Sequence, residues 1–189
     1  MTDHVVRLVP FRMTGVMRRP LPDLLWISTF LEVNVRTYVD FGGRPGIWFL
    51  SLDAASALAV WAARRFFHLA YYQARMALTS DGDAFRYSSV RAGAELSASY
   101  GPTSGVYYAK SGSLEHWLTE RYCLYATAPD GSIWRNDVHH HPWPLQPARA
   151  SVEHNTMFSS HGIEIHEPPA LLHFAKRLDV VVWDAERVV

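Results

Sequence analysis

The sequence predicts an α+β domain: an antiparallel, partly closed β-barrel with about two flanking helices. Three observations carry that expectation. Short segments of period-two patterning recur along the chain, and about nine of them read as strands. Turn signals of the Asp-Gly and Gly-Gly type separate them. Only two stretches, 55–67 and 114–120, read as helices.

The chain is organised around one stretch, Glu32 to Met76. From Glu32 to Val39 the residues alternate, with Val33, Val35, Thr37 and Val39 on one face and Glu32, Asn34, Arg36 and Tyr38 on the other. Gly42, Gly43 and Pro45-Gly46 supply a turn, and a second strand runs from Ile47 to Leu52. Asp53 or Ser56 caps a helix over 55–67 that is rich in Ala and Leu and carries Arg64 and Arg65. The chain then passes through His68 into a strand that starts at Tyr71 and continues to Ser80. The polar row of Glu, Asn, Arg and Tyr is ordinary if its face is wet and unusual if it is buried.

The remaining elements follow from local chemistry. Residues 5–11 read as a strand, Arg18-Arg19-Pro20-Leu21-Pro22 as a loop, and 26–30 as the approach to the central strand. Asp81-Gly82-Asp83 turns the chain into a hairpin partner over 84–91, and a further strand covers 94–100. Residues 101–112, rich in Gly, Ser and Pro, form a loop. Ser113 caps the short second helix, with Glu115 in its favourable first turn. Strands over 121–126 and 132–141 flank the turn Pro129-Asp130-Gly131, and Pro142-Trp143-Pro144 ends the ladder. Residues 148–154 form another strand, and the last lies within 171–183. There is no repeat, low-complexity tract or dividing linker, so residues 1–189 read as a single domain.

Composition narrows the function classes. With 49% hydrophobic and 19% charged residues the chain is globular. Eighteen basic and eighteen acidic residues cancel, which leaves no overall field for nucleic acid or acidic lipid. No apolar run approaches the roughly 20 residues that span a bilayer, and the opening MTDHVVRLVPF lacks the pattern of a signal peptide. Cys123 is the only cysteine and sits in an apolar strand, so a reducing, cytoplasmic location is expected and no intrachain disulfide is possible. Lys110 and Lys176 are the only lysines.

The candidate chemistry centres on Glu32. A carboxylate on a strand that faces a barrel interior is desolvated, which raises its pKa and suits acid–base work. The structural alternative is an ion pair with Arg36, Arg64 or Arg75. Tyr71 and Tyr72 can hydrogen-bond a ligand carbonyl or carboxylate, or simply pack. Arg64 can hold a carboxylate or lock its helix to the sheet. His139 and His141 share a strand face while His140 points away, and two imidazoles do not complete a zinc site, so no metal is expected. Ser159-Ser160-His161 is not a triad signature, and no glycine-rich phosphate loop or basic stripe is present.

Seven blocks carry a family resemblance: VPFRMTGV at Val9–Val16, FLEVNVRTYV at Phe30–Val39, RPGIWFLSLDA at Arg44–Ala54, SLEHWLTERYCLY at Ser113–Tyr125, VHHHPWPLQPA at Val138–Ala148, NTM at Asn155–Met157 and LLHFAKRLDVVVW at Leu171–Trp183. In this order they resemble the YqjF-like family, domain of unknown function 2071. That family usually carries several tens of residues before VPFRM, so the resemblance implies a missing N-terminal segment and barrel strand. The family in turn is similar to the acetoacetate decarboxylase-like superfamily. In the decarboxylases a strand glutamate precedes a glycine turn, a strand ending in Leu-Asp, a Gly-Arg-Glu helix and a Tyr-Pro-Lys-Lys motif whose first lysine forms a Schiff base. Here Glu32, Leu52-Asp53 and Ala63-Arg64-Arg65 match in order, and Leu69-Ala70-Tyr71-Tyr72 falls where the lysines should be. Tyr71 cannot form an imine, so the resemblance implies the fold and a pocket without Schiff-base decarboxylase chemistry.

The leading expectation is a protein that binds a small organic acid or carbonyl compound without a cofactor. Glu32 and Tyr71 are its catalytic-type residues, and Arg64, Tyr72, Asn34 and Arg36 its ligand-binding residues. An enzyme using Glu32 for acid–base catalysis and a protein-interaction module are the alternatives. The small ligand and further copies of the chain are the partners considered.

Overall fold

The computed structural model describes residues 5–16 and 29–189. The expected loop over Arg18–Pro22 and most of the approach to the central strand lie outside the described residues. Thirteen strands and two α-helices are present among the described residues. The first are β1 (Val6–Met13), β2 (Phe30–Phe41) and β3 (Arg44–Ala54), followed by helix α1 (Ala57–Phe67), β4 (Tyr71–Gln73) and β5 (Arg75–Asp81). Then come β6 (Ala84–Arg91), β7 (Ala94–Pro102), helix α2 (Leu114–Thr119), β8 (Cys123–Thr127) and β9 (Ile133–His140). The chain closes with β10 (Gln146–Asn155), a 3-10 turn (Ser159–His161), β11 (His173–Phe174), β12 (Val180–Val182) and β13 (Glu186–Arg187).

Two sheets result. The first runs β1-β2-β3-β8-β9-β12, with β4 also on β3 and β13 also on β9. The second runs β11-β10-β7-β6-β5. They share one apolar core, in which Val33 and Val35 from the first sheet meet Tyr87, Leu96 and Ala98 from the second, with Met157 beside them. No described helix is long and apolar enough to cross a membrane.

Local chemistry explains the elements that frame the centre. The Gly42-Gly43 turn closes the β2–β3 hairpin, with the Asp40 carboxylate accepting from Gly43 N at 2.8 Å. Ser56, not Asp53, caps α1 by accepting from Ala59 N at 3.2 Å. Ser113 caps α2 in the same way, from His116 N at 3.2 Å.

Four expectations are corrected. The ladder is not wholly antiparallel, because β4 and β8 both pair with β3 in parallel. Helix α1 supplies the crossover that lets β4 return in the direction of β3. The expected strand from Tyr71 to Ser80 is two strands, since β4 pairs with β3 and β5 with β6, and the chain changes sheet at buried Ala74. The expected strand over 171–183 is also divided, with β11 on β10 of the second sheet and β12 on β9 of the first. These sheet changes, with the short β13, raise the strand number above nine.

The junction of β3 with β8 is tight. It has only two register pairs, Ile47 with Leu124 and Trp48 with Tyr125. The Tyr125 hydroxyl donates to Arg44 O at 3.0 Å and the Cys123 thiol to Pro45 O at 3.6 Å. A Cβ on Gly46 would lie 2.6 Å from the Tyr125 ring and 2.9 Å from Cys123 O. Gly46→Ala is therefore expected to cost ~1–3 kcal/mol in urea unfolding, as overpacking does. Gly105→Ala, which meets nothing within 4 Å, is expected to stay within about 0.5 kcal/mol of wild type.

Candidate functional site

Strand β2 is buried on both faces. Glu32, Val33, Asn34, Val35 and Arg36 are all buried. Val33 and Val35 face the second sheet through the shared core, so Glu32, Asn34 and Arg36 occupy the opposite face. The polar row is thus of the unusual, buried kind.

Tyr71 meets Glu32 there. Residue 71 is the register partner of Leu52, which in turn pairs with Asn34. This brings the Tyr71 side chain to the polar face beside the carboxylate. The Tyr71 hydroxyl donates to Glu32 Oε2 at 2.8 Å. Burial pushes the Glu32 carboxyl up to about 7, the Tyr71 hydrogen bond opposes that rise, and the charge of Asp53 adds to it. Burial, then the adjacent Glu32 carboxylate, raise the Tyr71 phenol well above its ordinary value. Near neutral pH the pair therefore offers a neutral phenol and a carboxyl that can hold or release a proton.

The backbone at Glu32 is fixed from the other sheet. The buried Tyr87 hydroxyl of β6 donates to Glu32 O at 2.7 Å and lies 3.3 Å from Phe11 O, the carbonyl of Glu32's register partner on β1. Asp53, fully buried, pairs with Val33 and belongs to the core-facing side, where Arg91 Nε lies 2.9 Å from both its carboxylate oxygens. Burial raises the Asp53 carboxyl and the Arg91 guanidinium opposes that rise. His161 Nε2 lies 3.1 Å from Ser51 Oγ, also between the sheets. Sequence reasoning missed Tyr87, Arg91 and His161 as supports of the site. Their partners are distant in the chain, and only the register of the two sheets reveals them.

The other sequence candidates separate. Arg64 is exposed; its Nε donates to Tyr71 O at 2.6 Å, which ties α1 to β4. Tyr72 alternates away from Tyr71, is 37% exposed, and lies under Arg91, whose guanidinium carbon is 4.4 Å from the ring centroid. Asn34 and Arg36 share the face of Glu32, and Asn34 Oδ1 and Arg36 Nε are buried without a hydrogen-bond partner. No ion pair joins Glu32 to Arg36, Arg64 or Arg75. His139 and His141 are exposed while His140 is buried against the Tyr122 ring, at 4.8 Å between centroids. A surface cleft of about 440 Å³ lies elsewhere, lined by Arg91, Gly93, Glu95, Thr156 and Ser159 among others, and does not reach Glu32 or Tyr71.

Comparison with known proteins bears on this geometry. The DUF2071 family model, described as "Uncharacterized conserved protein (COG2071)", matches residues 3–179. The "Uncharacterized protein YqjF" of Bacillus subtilis (strain 168) is 45% identical over 181 residues, covering 94% of this chain and 74% of the relative. Among solved structures, the acetoacetate decarboxylase of Legionella pneumophila aligns with a TM-score of 0.59 at 12% identity, over 86% of this chain and 68% of that one. A second acetoacetate decarboxylase structure gives 0.57 at 13% identity, over 98% and 87%. The enduracididine biosynthesis enzyme MppR with HEPES bound gives 0.54 at 10%, over 85% and 65%. At these identities the structural likeness is one of fold.

Two expected outcomes follow from the Glu32–Tyr71 pair. The unfolded carboxyl titrates near 4.5 and the folded one at about 7. Between those values the native state binds more protons, so stability falls as pH rises. The full effect is on the order of 3 kcal/mol. Glu32→Gln removes that slope, so urea midpoints between about pH 5 and about pH 8 are expected to change less than in wild type. Tyr71→Phe removes the hydrogen bond that stabilises the charged carboxylate. Carbon-13 NMR titration of the Glu32 carboxyl is expected to give a higher pKa than wild type.

Proposed function

Given that the chain belongs to the DUF2071, YqjF-like family and has the acetoacetate decarboxylase-like fold, we propose that it binds a small organic acid or other carbonyl compound at Glu32 and Tyr71. In this reading the two sheets form the partly closed barrel expected from the strand pattern, and the ligand lies on the polar face of β2. The protein acts in the cytoplasm and works without a Schiff base. The observation that carries the reading is the buried Glu32 carboxyl, 2.8 Å from the Tyr71 hydroxyl; in this reading Tyr71 stands where the decarboxylase pattern has its lysine. A carbonyl oxygen accepts from a protonated Glu32 or from the phenol; a hydroxyl donates to the carboxylate. Asn34 Oδ1, buried and without a partner on the same face, offers a further acceptor.

Catalysis by Glu32 is the second reading, favoured by one observation. A carboxyl held at about 7 is matched to proton transfer near neutral pH. Glu32 then gives a proton to, or takes one from, a bound carbonyl compound that Tyr71 orients.

A thermal-shift screen of keto acids, hydroxy acids and neutral carbonyl compounds tests both readings, on wild type and Glu32→Gln. Binding is expected to raise the midpoint of wild type, with the rise reduced in the mutant. Turnover of the compound found, with a pH–rate profile that changes in Glu32→Gln, selects the second reading; binding without turnover selects the first. A folded wild type that responds to none of the compounds defeats both.

A further inference from the structure

We infer that Arg7, Arg36 and Arg121 form a buried oxyanion subsite around Tyr38, built to take a carboxylate or phosphate group. The inference deepens the proposed function at one point, the charged end of the ligand, and rests on that reading only for what the rest of the ligand does.

The cluster draws on three elements. Arg7 of β1 and Arg36 of β2 are register partners, so their side chains leave the same face of the sheet as neighbours. Tyr38 follows Arg36 on that face. Arg7 Nη1 lies 3.3 Å from the Tyr38 hydroxyl and 3.3 Å from Leu118 O, and the hydroxyl itself donates to Leu118 O at 3.0 Å. Arg121 arrives from beyond α2, its guanidinium carbon 5.6 Å from the Tyr38 ring centroid and 4.4 Å from that of Trp117. Its Nη1 donates to Glu120 O at 2.9 Å. Arg36 and Arg121 are only 6% and 7% exposed.

The cations lack ion-pair partners among the described residues, although the charge of Glu120 acts on Arg121 without pairing with it. Arg36 Nε and Arg121 Nη2 are buried and have no hydrogen-bond partner. Guanidinium does not escape this by losing its proton. Burial, and then Arg7, press Arg36 down to about 10, with Tyr38 acting in the opposite sense, so the group stays positive at neutral pH. Like charges placed opposite each other on paired strands repel, and a buried unpaired charge is costly. Unsatisfied guanidinium donors that belong to more than one element suit an oxyanion, which accepts from several at once.

The spacing defines the ligand class. Arg36 and Glu32 are four residues apart on one strand, about 13 Å between Cα atoms. Asn34 stands between them on the same face. The ligand that uses the whole row is an elongated organic anion. It carries a carboxylate or phosphate at the Arg36 end and a carbonyl or hydroxyl at the Glu32–Tyr71 end, with a hydrogen-bond donor toward Asn34 Oδ1. The shortest keto acids do not reach both ends.

The test measures thermal midpoints with inorganic phosphate and with glutarate, at constant ionic strength maintained with chloride. The proteins are wild type, Arg36→Gln, Arg121→Gln, Glu32→Gln and Arg86→Gln, the last at an exposed position on β6. At a roughly hundredfold excess over Kd, wild type is expected to gain about 5 °C or more with at least one anion. Which anion acts tells whether the subsite prefers phosphate or carboxylate. Arg36→Gln and Arg121→Gln are expected to lose the gain, while Arg86→Gln and Glu32→Gln keep it. If Arg36→Gln does not fold, Arg121→Gln carries the decision. A wild type that responds to neither anion, or a gain that survives in Arg121→Gln, overturns the subsite. Because neither probe needs Glu32, the two readings fail separately. Phosphate or glutarate binding with an unsuccessful carbonyl screen leaves the subsite and removes the proposed function; the reverse result removes the subsite alone.

Discussion

Everything in the structure turns on a strand that is buried on both sides and polar on one of them. Val33 and Val35 give β2 its place in the core between the sheets. Once that face is committed, Glu32, Asn34 and Arg36 are buried as well, because a strand offers its side chains to alternate sides. A buried polar group must find a partner or carry the desolvation penalty. Glu32 finds Tyr71, and Tyr87 accommodates the Glu32 carbonyl. Asp53 finds Arg91, and Ser51 finds His161, across the gap between the sheets. Among the groups that find nothing, Asn34 Oδ1 and Arg36 Nε lie on the same polar face as Glu32. Polarity that folding alone would select against thus recurs along one side of this strand.

In the proposed site a phenol, that of Tyr71, stands beside the buried Glu32 carboxyl. An amine at this position would attack a carbonyl; a phenol can only donate or accept a hydrogen bond near neutral pH. The likeness to acetoacetate decarboxylases, at 12% and 13% identity, is one of fold. A shared fold does not fix a function, so the site has to be read from its own groups.

Much of this was legible in the sequence for a simple reason. Period two between Glu32 and Val39 announces both the strand and its two faces. The Gly42-Gly43 and Asp81-Gly82 turns mark the hairpins, and Ser56 and Ser113 sit where helix caps belong. Glu32 and Tyr71 could be brought together only through the family pattern, since 39 residues separate them in the chain. What stayed hidden depends on how the sheets meet. Nothing near Ala74 says that the chain changes sheet there, because each half reads as an ordinary strand. Arg91 and His161 look like surface residues until Asp53 and Ser51 are placed opposite them. The parallel pairing of β8 with β3 has no local signature either, since periodicity does not encode direction.

That pairing has a consequence for how the chain finds its shape. The β1–β2–β3 and β5–β6–β7 meanders, and the β8–β9 hairpin, are built mostly from neighbours in sequence. Their contacts close short loops and cost little chain entropy. The first sheet becomes continuous only where residues 47 and 48 meet 124 and 125. By then α1, the whole β5–β7 meander and α2 have intervened. Much of the loop-closure entropy of the first sheet thus falls at a two-residue seam with a glycine at its edge. The search for the native topology ends where separately formed pieces are zipped together, and non-local joints of this kind raise the contact order of the molecule.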